Sequence, residues 1–563
     1  MTEEKEDKKR TIWNRKRRYY QPIIKRSKYW PVVLLSKHRK EFIEEVVENT
    51  MARINKLRPS KKELIEELET THYREKQRMR SNPWRVDPPD EKKFWDEIKS
   101  ELVSISNQPE GKEKAEELLK RIITRYENEI SGNFKSSRYR LTRSIVKFGF
   151  RRLLNASQVK GIFAIFKTDY YLTDKIQIVG KTKLLRKLAK DNTIVMVPTH
   201  FSNLDSILIG WIIHVLGLPP FIYGAGLNLF NIKLFAYFMN SLGAYKVDRR
   251  KRNLIYLESL KMYSHNALLK GAHSIFFPGG TRSRSGHIEK SLKRGLLSTA
   301  IEAQRSLLME EETKNRRIII VPVVINYHFV LEAPSLINDY LKRTGQERYY
   351  KEADEYSTSY KIIKFLISFF TKGSNISVSI GKPMDVLGNP VNEKGESIDK
   401  HDNTINLADY FTSDDTIIEN DQREDEYSKI LSKKIVEEYH KSNRVFASHL
   451  VAWTAFRYWQ RQYPKLDLFG FLRLPEDELE IDYEVFKEEV RIVRDKLYAL
   501  KKEQKLKMAK HLEGDLDKVI KLGLENVGLY HVNRPLLQVK NKIVTKSLST
   551  LYYYHNRMDG YDL

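Results

Sequence analysis

Short apolar runs rich in β-branched residues alternate with helix-length segments in the middle of the chain. The apolar runs lie at residues 176–179, 194–197, 275–277, 318–325 and 376–380. The segments 183–190, 253–270 and 290–311 between them have the length and pattern of helices. Strands that alternate with helices predict an α/β domain, with a mixed, largely parallel sheet flanked by helices, which we place at residues 151–386.

The pattern on the N-terminal side of that domain is helical. From Glu41 onwards, apolar residues fall on one helical face and charged residues alternate on the other. Further helical segments follow at residues 61–80, 91–103 and 112–130. These segments predict an N-terminal helical domain at residues 41–150, preceded by a leader at residues 1–40.

The chain beyond residue 386 begins with a polar stretch. Residues 387–425 are rich in Asn, Asp, Glu, Gly and Ser, which is typical of a long loop or linker. Residues 426–563 return to a helical pattern. In the helix predicted from Tyr483, apolar residues at four-three spacing indicate packing within a domain core rather than a coiled-coil dimer.

Composition narrows the classes of protein that fit this pattern. The chain has 563 residues, of which 41% are hydrophobic, so it can bury a large core and is not a disordered protein. It contains no Cys, which excludes disulfides, a thiolate nucleophile and Cys-ligated metal, and favours a cytoplasm-facing protein. The net charge of +26 predicts an acidic partner: nucleic acid, anionic lipid headgroups or phosphorylated small molecules.

The leader concentrates this positive charge. Residues 8–40 contain 13 Lys or Arg and no acidic residue. Aromatic residues are interleaved with them: Trp13, Tyr19, Tyr20, Tyr29 and Trp30. Basic residues beside aromatics suit an anionic membrane surface, at about 1 kcal/mol per basic residue. A solvated basic tail and a nucleic-acid-binding segment remain alternatives.

The first candidate for chemistry follows the apolar run 194–197. That run ends at Pro198, and His200 and Asp205 come after it, just before another apolar run begins. Asp205 in the first turn of a helix can accept a hydrogen bond from the His200 imidazole, which would make His200 a general base. Sites of α/β proteins lie at the carboxyl ends of strands, where this motif falls. The alternative is a polar loop that caps a helix.

Three more motifs follow in the same domain. Residues 243–250, GAYKVDRR, read as a short strand that ends in clustered cations. Residues 277–286, FPGGTRSRSG, combine glycines, hydroxyls and guanidinium groups, which is typical of a phosphate cradle but lacks the Gly-Lys-Ser/Thr of a Walker loop. An ordinary basic surface turn is the alternative. Residues 321–327, VPVVINY, read by default as a structural strand interrupted by Pro322.

These four motifs, in this order, resemble the blocks of the glycerolipid acyltransferase family. The family blocks read roughly H-x4-D, G-x-x-x-[IV]-x-R, F-P-E-G-[TG]-R-S and [VI]-P-[VI], and here they appear as HFSNLD, GAYKVDR, FPGGTRSRSG and VPV. The resemblance covers about residues 170–387. The RSRSG tail and the C-terminal run 551–557 look more like the long bacterial glycerol-3-phosphate acyltransferases. One position departs: Gly279 stands where the family usually has Glu, so the role of that carboxylate is absent or supplied elsewhere.

The resemblance implies transfer of a fatty acyl group from acyl-CoA or acyl carrier protein to a hydroxyl of glycerol 3-phosphate, on the cytoplasmic side of the cell membrane by a peripheral or monotopic protein. His200 and Asp205 would be catalytic. The implied substrate-binding residues are Arg249, Gly280, Thr281, Arg282, Ser283 and Pro322. Neither a metal nor a cofactor is implied.

The uncharged stretch 206–232 would then receive the acyl chain or dip into the membrane. A membrane span is disfavoured there because Pro219, Pro220 and four glycines interrupt the stretch. A 1-acylglycerol-3-phosphate acyltransferase and a hydrolase remain open. So does a basic module, of another class, that binds a membrane surface or nucleic acid.

Overall fold

The computed structural model describes residues 19–84, 86–106, 111–141, 144, 176–227, 243–344 and 376–563. On the N-terminal side, helices lie at α1 (Pro31–Lys37), α2 (Arg39–Leu57), α3 (Lys61–Ser81), α4 (Glu91–Ser106) and α5 (Gly111–Ile130). A capping box starts α3, because the Ser60 hydroxyl accepts the Glu63 amide while the Glu63 carboxylate accepts the Ser60 amide. The predicted helical segments of this region therefore form within a few residues of their expected bounds.

A seven-stranded sheet follows. Its strands are β1 (Ile176–Gly180), β2 (Thr193–Pro198), β3 (Ile222–Gly226), β4 (Ala244–Val247), β5 (Ser274–Ile275), β6 (Ile318–Tyr327) and β7 (Ile376–Ile380). The order across the sheet is β1-β7-β6-β2-β5-β3-β4, and every pair is parallel except β6 with β7. The predicted α/β fold with a mixed, largely parallel sheet is confirmed.

The two central strands explain why the sheet forms here. Every residue of β2 and of β6 is buried, and the pair runs in parallel register from Thr193 opposite Ile318 to Pro198 opposite Val323. Strands covered on both faces need continuous apolar runs of this kind. Because β2, β3, β4 and β5 are parallel, their carboxyl ends lie at one edge of the sheet, which brings together the loops after Pro198, Val247 and Ile275.

Helices flank the sheet at α6 (Thr182–Leu188), α7 (Asp205–Val215), α8 (Leu254–Leu269), α9 (Gly295–Met309) and α10 (Ala333–Thr344). The helix expected at residues 290–311 begins only at Gly295. Strand β3 was not predicted, because residues 206–232 are apolar on every side and carry no alternation that separates helix from strand.

The N-terminal helices share a hydrophobic core with the sheet. Buried residues of α2 and α5, such as Ile54 and Leu119, belong to the same cluster as Tyr245 of β4 and Ile255 of α8. These helices thus cover one edge of the sheet instead of enclosing a core of their own.

Part of the leader also packs onto this body. Trp30 is buried, and the Tyr20 ring lies 4.7 Å from the Arg186 guanidinium. Tyr29 is 53% exposed, whereas Trp13 falls outside the described residues. The Tyr19 ring lies 5.3 Å from the ring of His214, so three of the predicted interfacial aromatics, Tyr19, Tyr20 and Trp30, contact the rest of the protein.

The polar stretch 387–425 contains two short hairpins. Their strands are β8 (Ser397–Ile398), β9 (Thr404–Ile405), β10 (Thr412–Ser413) and β11 (Thr416–Ile417). Asp402, Asp414 and Asp415 take the left-handed backbone conformation that their turns require. Leu407 and Phe411 anchor the stretch in the core.

The C-terminal region packs around helix α12, which is buried from Ala447 to Phe456. Its helices are α11 (Asp421–Ser442), α12 (Ala447–Gln462), α13 (Leu468–Phe471), α14 (Tyr483–Lys502), α15 (Leu516–Asn526) and α16 (Leu548–His555). Its short strands are β12 (Arg444–Val445), β13 (Glu480–Asp482), β14 (Lys507–Met508), β15 (Leu537–Val539) and β16 (Lys542–Val544). The apolar face predicted on α14 packs against α12 and α15. None of the helices that the structure describes combines the length and the apolar character needed to cross a bilayer.

Candidate active site

The His200–Asp205 pair lies where the sequence predicts it, between the end of β2 and the start of α7. The Nδ1 atom of His200 is 2.8 Å from Oδ2 of Asp205. The His200 side chain is 14% exposed, whereas the Asp205 side chain is fully buried. A carboxylate that accepts the Nδ1 proton fixes the tautomer and leaves Nε2 as the base, which is the arrangement that general-base catalysis needs.

Asp205 is held by three further donors. The amides of Phe201 and Ser202 donate to Oδ2 at 2.7 and 2.9 Å, and the Tyr327 hydroxyl donates to Oδ1 at 2.5 Å. Burial and the neighbouring carboxylate raise the pKa of Tyr327, so its hydroxyl stays protonated and remains a donor. The carboxylate is thereby fixed in position before any substrate binds.

The glycine-rich loop after β5 encloses His200. The His200 ring stacks on Phe277 with ring centroids 4.3 Å apart. The His200 carbonyl accepts the Ser283 amide at 2.7 Å, and the His200 amide donates to Oε1 of Glu289 at 3.1 Å. The first and third sequence motifs therefore form one structural unit.

Several donors that the sequence assigns to a phosphate are already used within this loop. The Gly280 amide donates to the Phe277 carbonyl at 3.0 Å, in a turn where Gly280 has a φ of +75°. The Ser283 amide is bound to His200, and its hydroxyl donates to the His287 carbonyl at 2.8 Å. The Gly280 amide and the Ser283 donors thus hold the loop together, whereas Thr281 is exposed, and phosphate binding by these three residues stays a prediction.

Two arginines of this loop, Arg282 and Arg284, lie close to Arg249 from the motif after β4. Arg282 lies 3.3 Å from Glu332, and Arg284 lies 2.5 Å from Asp339. Arg249, which follows β4, has no carboxylate partner among the described residues. Its partial desolvation, and then the positive charges of Arg282 and Arg284, lower the pKa of Arg249. The cluster carries an excess of positive charge, which a phosphate would offset.

The neighbouring Arg250 has a different role. It pairs with Asp87 and Asp248, and its guanidinium lies 3.9 Å from the centre of the Trp84 ring. Arg250 therefore ties the loop after β4 to the N-terminal helices, and Arg249 is left as the cation of this motif that is available for a ligand.

Comparison with known proteins agrees with this geometry. Residues 175–326 match the family model described as Acyltransferase. The chain contains an acyltransferase domain. The matched residues include His200, Asp205, Arg249 and the glycine-rich loop, and the resemblance to the glycerolipid acyltransferases is confirmed.

Relatives of the acyltransferase domain include glycerol-3-phosphate acyltransferases of Pseudomonas paraeruginosa and Pseudomonas aeruginosa, each 28% identical over 237 residues. These alignments cover 42% of this chain and 25% of each relative. The enzyme of Pseudomonas fluorescens is 23% identical over 282 residues, which is 50% of this chain and 29% of that protein. The chain therefore spans between a quarter and a third of the length of these relatives.

The acyltransferase domain has an apolar cavity next to Phe277, the residue that stacks on His200. It is lined mainly by α7, β3 and β5, including Ile209, Gly210, Ile213, Phe221, Tyr223 and Ile275, so most of its lining comes from the stretch 206–232. The cavity measures only about 20 Å³. Among the residues that the structure describes, a Cβ atom added at Gly210 would meet no atom within 4 Å.

Pro322 lies inside β6 of the acyltransferase domain. It is buried, and its carbonyl accepts the Gly381 amide at 2.8 Å. This placement fits the reading as a structural strand, and a substrate contact by Pro322 stays a prediction. In the part of the chain that the structure describes, no group of three or more His, Asp or Glu side chains is placed to hold a metal ion.

Four residues of the site were missed by sequence reasoning: Tyr327, Glu289, Glu332 and Arg557. Glu332 links the loop after β2 to the glycine-rich loop. It accepts the Ser202 hydroxyl at 3.1 Å and the Asn203 amide at 3.0 Å, and it also pairs with Arg282. Arg557 reaches the site from the C-terminus, with its guanidinium 3.7 Å from the centre of the Phe201 ring. Tyr327 and Arg557 lie within motifs noted in the sequence, but nothing in the spacing showed which residue they would contact.

Proposed function

We propose that this protein transfers a fatty acyl group from a thioester donor to a hydroxyl of glycerol 3-phosphate, as a step of phospholipid synthesis. The observation that carries the proposal is the half-buried, carboxylate-oriented base His200 beside an arginine cluster that lacks one counter-charge. The names of the relatives support glycerol 3-phosphate as the acceptor. The net charge of +26 supports action at an anionic membrane surface, from its cytoplasmic side, as a peripheral or monotopic protein.

In the proposed reaction, Nε2 of His200 takes the proton of the acceptor hydroxyl while its oxygen attacks the thioester carbonyl. The new C–O bond forms, the C–S bond breaks, and the departing thiolate recovers the proton from His200. Asp205 holds the ring and stabilises the imidazolium between these two steps. Transfer is direct because the chain has no Cys and no Ser in a G-x-S-x-G turn.

The phosphate of the acceptor would be held by Arg249 and Arg282. Arg282 can exchange its contact with Glu332 for a phosphate at little cost, because Glu332 keeps the Ser202 hydroxyl and the Asn203 amide as donors. The carboxylate would therefore not be left unpaired when substrate binds.

Replacing Arg282 by lysine tests this assignment. Lysine keeps the charge but loses the planar fork that grips two phosphate oxygens. We expect the apparent Michaelis constant for glycerol 3-phosphate to rise by an amount that corresponds to roughly 1.5–3 kcal/mol, with little change in that for the acyl donor. Steady-state kinetics with each substrate varied in turn measures both constants.

The matched control is Arg491→Lys on the exposed surface of α14, which should leave both constants unchanged. If Arg282→Lys weakens the acyl donor and spares the acceptor, the arginine cluster binds the donor, and the assignment of Arg249 and Arg282 to glycerol 3-phosphate is wrong.

The acyl chain would enter between α7 and β3 by widening the apolar cavity. We expect Gly210→Phe to fill this path and to lower kcat/KM for a palmitoyl donor at least about tenfold more than for a hexanoyl donor, since each excluded methylene forfeits about 0.8 kcal/mol of burial. Gly295→Phe is the control, because Gly295 also has open space at its Cβ but lies exposed at the start of α9. An equal loss with both donors would place the acyl path elsewhere.

One assay separates the candidate functions. Purified protein is offered palmitoyl-CoA or palmitoyl carrier protein together with labelled glycerol 3-phosphate or lysophosphatidate, and thiol release and labelled lipid are followed. We expect label to pass from glycerol 3-phosphate into an acylated product. Product from lysophosphatidate alone indicates a 1-acylglycerol-3-phosphate acyltransferase, and thiol release without acceptor indicates a hydrolase. No thiol release at all, with salt-sensitive binding to liposomes or nucleic acid, indicates a binding module.

A further inference from the structure

Gly279 is the position where the chain departs from its family, and its surroundings are occupied by another carboxylate. A Cβ atom added at Gly279 would lie 3.1 Å from both Cγ and Oε1 of Glu289. Gly279 is not among the glycines with positive φ, so its backbone conformation admits a side chain. The space into which a side chain at residue 279 would project is therefore filled by Glu289, ten residues later in the chain.

Two hydrogen bonds hold the segment of Glu289 along the glycine-rich loop. The Lys293 amide donates to the Pro278 carbonyl at 2.7 Å, and the Ser283 hydroxyl donates to the His287 carbonyl at 2.8 Å.

Glu289 is half-buried as a residue, but its carboxylate points inwards. Oε1 accepts the His200 amide at 3.1 Å, and Oε2 is shielded from solvent without a hydrogen-bond partner in the described structure.

The positive charges around Glu289 come from His200 and from Arg557 near the C-terminus. Burial raises the pKa of Glu289, whereas the His200 amide and the positive charges of Arg557 and His200 act to lower it. Arg557 is itself buried, and its Nη2 donates to the Ile325 carbonyl at 2.6 Å. A carboxylate that is shielded from solvent thus accepts the backbone amide of the proposed base and lies close enough to its ring for their charges to interact.

We propose that Glu289 is a positioning residue that supplies, from another point of the chain, the carboxylate missing at Gly279. It fixes the loop through the His200 amide, and its charge favours the imidazolium that forms on His200 during proton transfer. The proposal deepens the proposed acyl transfer and rests on it for its catalytic part, whereas the shared position of the two side chains is a separate structural claim.

A reciprocal exchange tests the shared position. Four proteins are compared: the natural protein, Gly279→Glu, Glu289→Ala, and the double variant. Glu289→Ala should lower kcat about 10- to 100-fold with Michaelis constants within about threefold, since a positioning residue acts on the transition state. Gly279→Glu alone should also lower kcat, because two carboxylates compete for one buried place. The double variant should recover at least tenfold over either single variant.

Melting temperatures of the same four proteins give a readout that does not depend on activity. Gly279→Glu should lower the melting temperature by several degrees when Glu289 is present and clearly less when residue 289 is alanine. Additive effects on both kcat and melting temperature would overturn the shared position. An absence of acyl transfer in the natural protein would instead refute the proposed function, and the melting temperatures would still decide the structural claim.

Glu289→Gln separates a charge effect from a structural one. The amide keeps the shape of the side chain and an acceptor for the His200 amide, but it carries no charge. We expect a melting temperature close to that of the natural protein, a kcat lowered about tenfold or more, and unchanged Michaelis constants. A kcat equal to that of the natural protein would show that Glu289 only supports the loop and would overturn its electrostatic role.

Discussion

Replacing His200 by alanine lowers turnover by about 100- to 10,000-fold and leaves the melting temperature nearly unchanged, if His200 is the general base. Stability is spared because Asp205 keeps the amides of Phe201 and Ser202 and the Tyr327 hydroxyl as donors after the imidazole is removed. No buried carboxylate is left unpaired. The acceptor-dependent release of thiol from palmitoyl-CoA measures turnover, and a thermal melt measures stability.

His401→Ala serves as the matched control. His401 is an exposed histidine in a turn, and its backbone amide donates to Oδ1 of Asp399, a hydrogen bond that alanine retains. Its removal should change neither turnover nor stability. If His200→Ala keeps a turnover near that of the natural protein, the proposed mechanism is refuted, because the reaction then proceeds without the proton transfer assigned to Nε2 of His200.

The His200–Asp205 pair could be predicted because all of its determinants are local. A buried parallel strand must be apolar throughout, so the sequence 194–197 marks its own end at Pro198. Asp205 then lies in the first turn of α7, within reach of the loop that precedes it. The distance of 2.8 Å between the two side chains follows from five residues of sequence.

The partners of this pair could not be predicted, because they arrive from distant parts of the chain. Tyr327 is the last residue of β6, Glu332 follows that strand, and Arg557 lies near the C-terminus. Sequence spacing sets no limit on contacts between residues more than 100 positions apart. The replacement at Gly279 is hidden for a different reason: Glu289 is only ten residues away, but the path of the loop that brings it beside Gly279 shows only in the folded structure.

The phosphate cradle shows a different limit of sequence reasoning. Composition identifies a loop rich in potential donors, but a loop of this kind must also satisfy its own backbone. The Gly280 amide donates to the Phe277 carbonyl, and the Ser283 amide and hydroxyl donate to the carbonyls of His200 and His287. Side chains that lie outside this internal network, above all Arg249, are the ones left for a ligand.

Replacing Asp205 by asparagine should lower turnover by about 10- to 100-fold, less than the loss in His200→Ala. An amide has only one acceptor oxygen, and the amides of Phe201 and Ser202 both donate to the position of Oδ2. The amide oxygen must therefore take that position, where it still accepts the Nδ1 proton of His200. The correct tautomer is kept, but the charge that stabilises the imidazolium is lost, which corresponds to the difference between charged and neutral hydrogen bonds, about 1–3 kcal/mol.

The same substitution should lower stability, in contrast to His200→Ala. The amide nitrogen then faces the Tyr327 hydroxyl, which loses its acceptor inside a fully buried environment, and we expect a cost of about 1–3 kcal/mol in the free energy of unfolding. Kinetics and denaturant unfolding of Asp205→Asn, His200→Ala and Tyr327→Phe measure the two effects separately. Tyr327→Phe removes the donor together with its need for an acceptor, so combining it with Asp205→Asn should recover part of the lost stability.

If Asp205→Asn instead loses as much activity as His200→Ala and keeps its full stability, the amide is turned the other way. Its nitrogen then donates to His200, and the wrong tautomer accounts for the loss of activity.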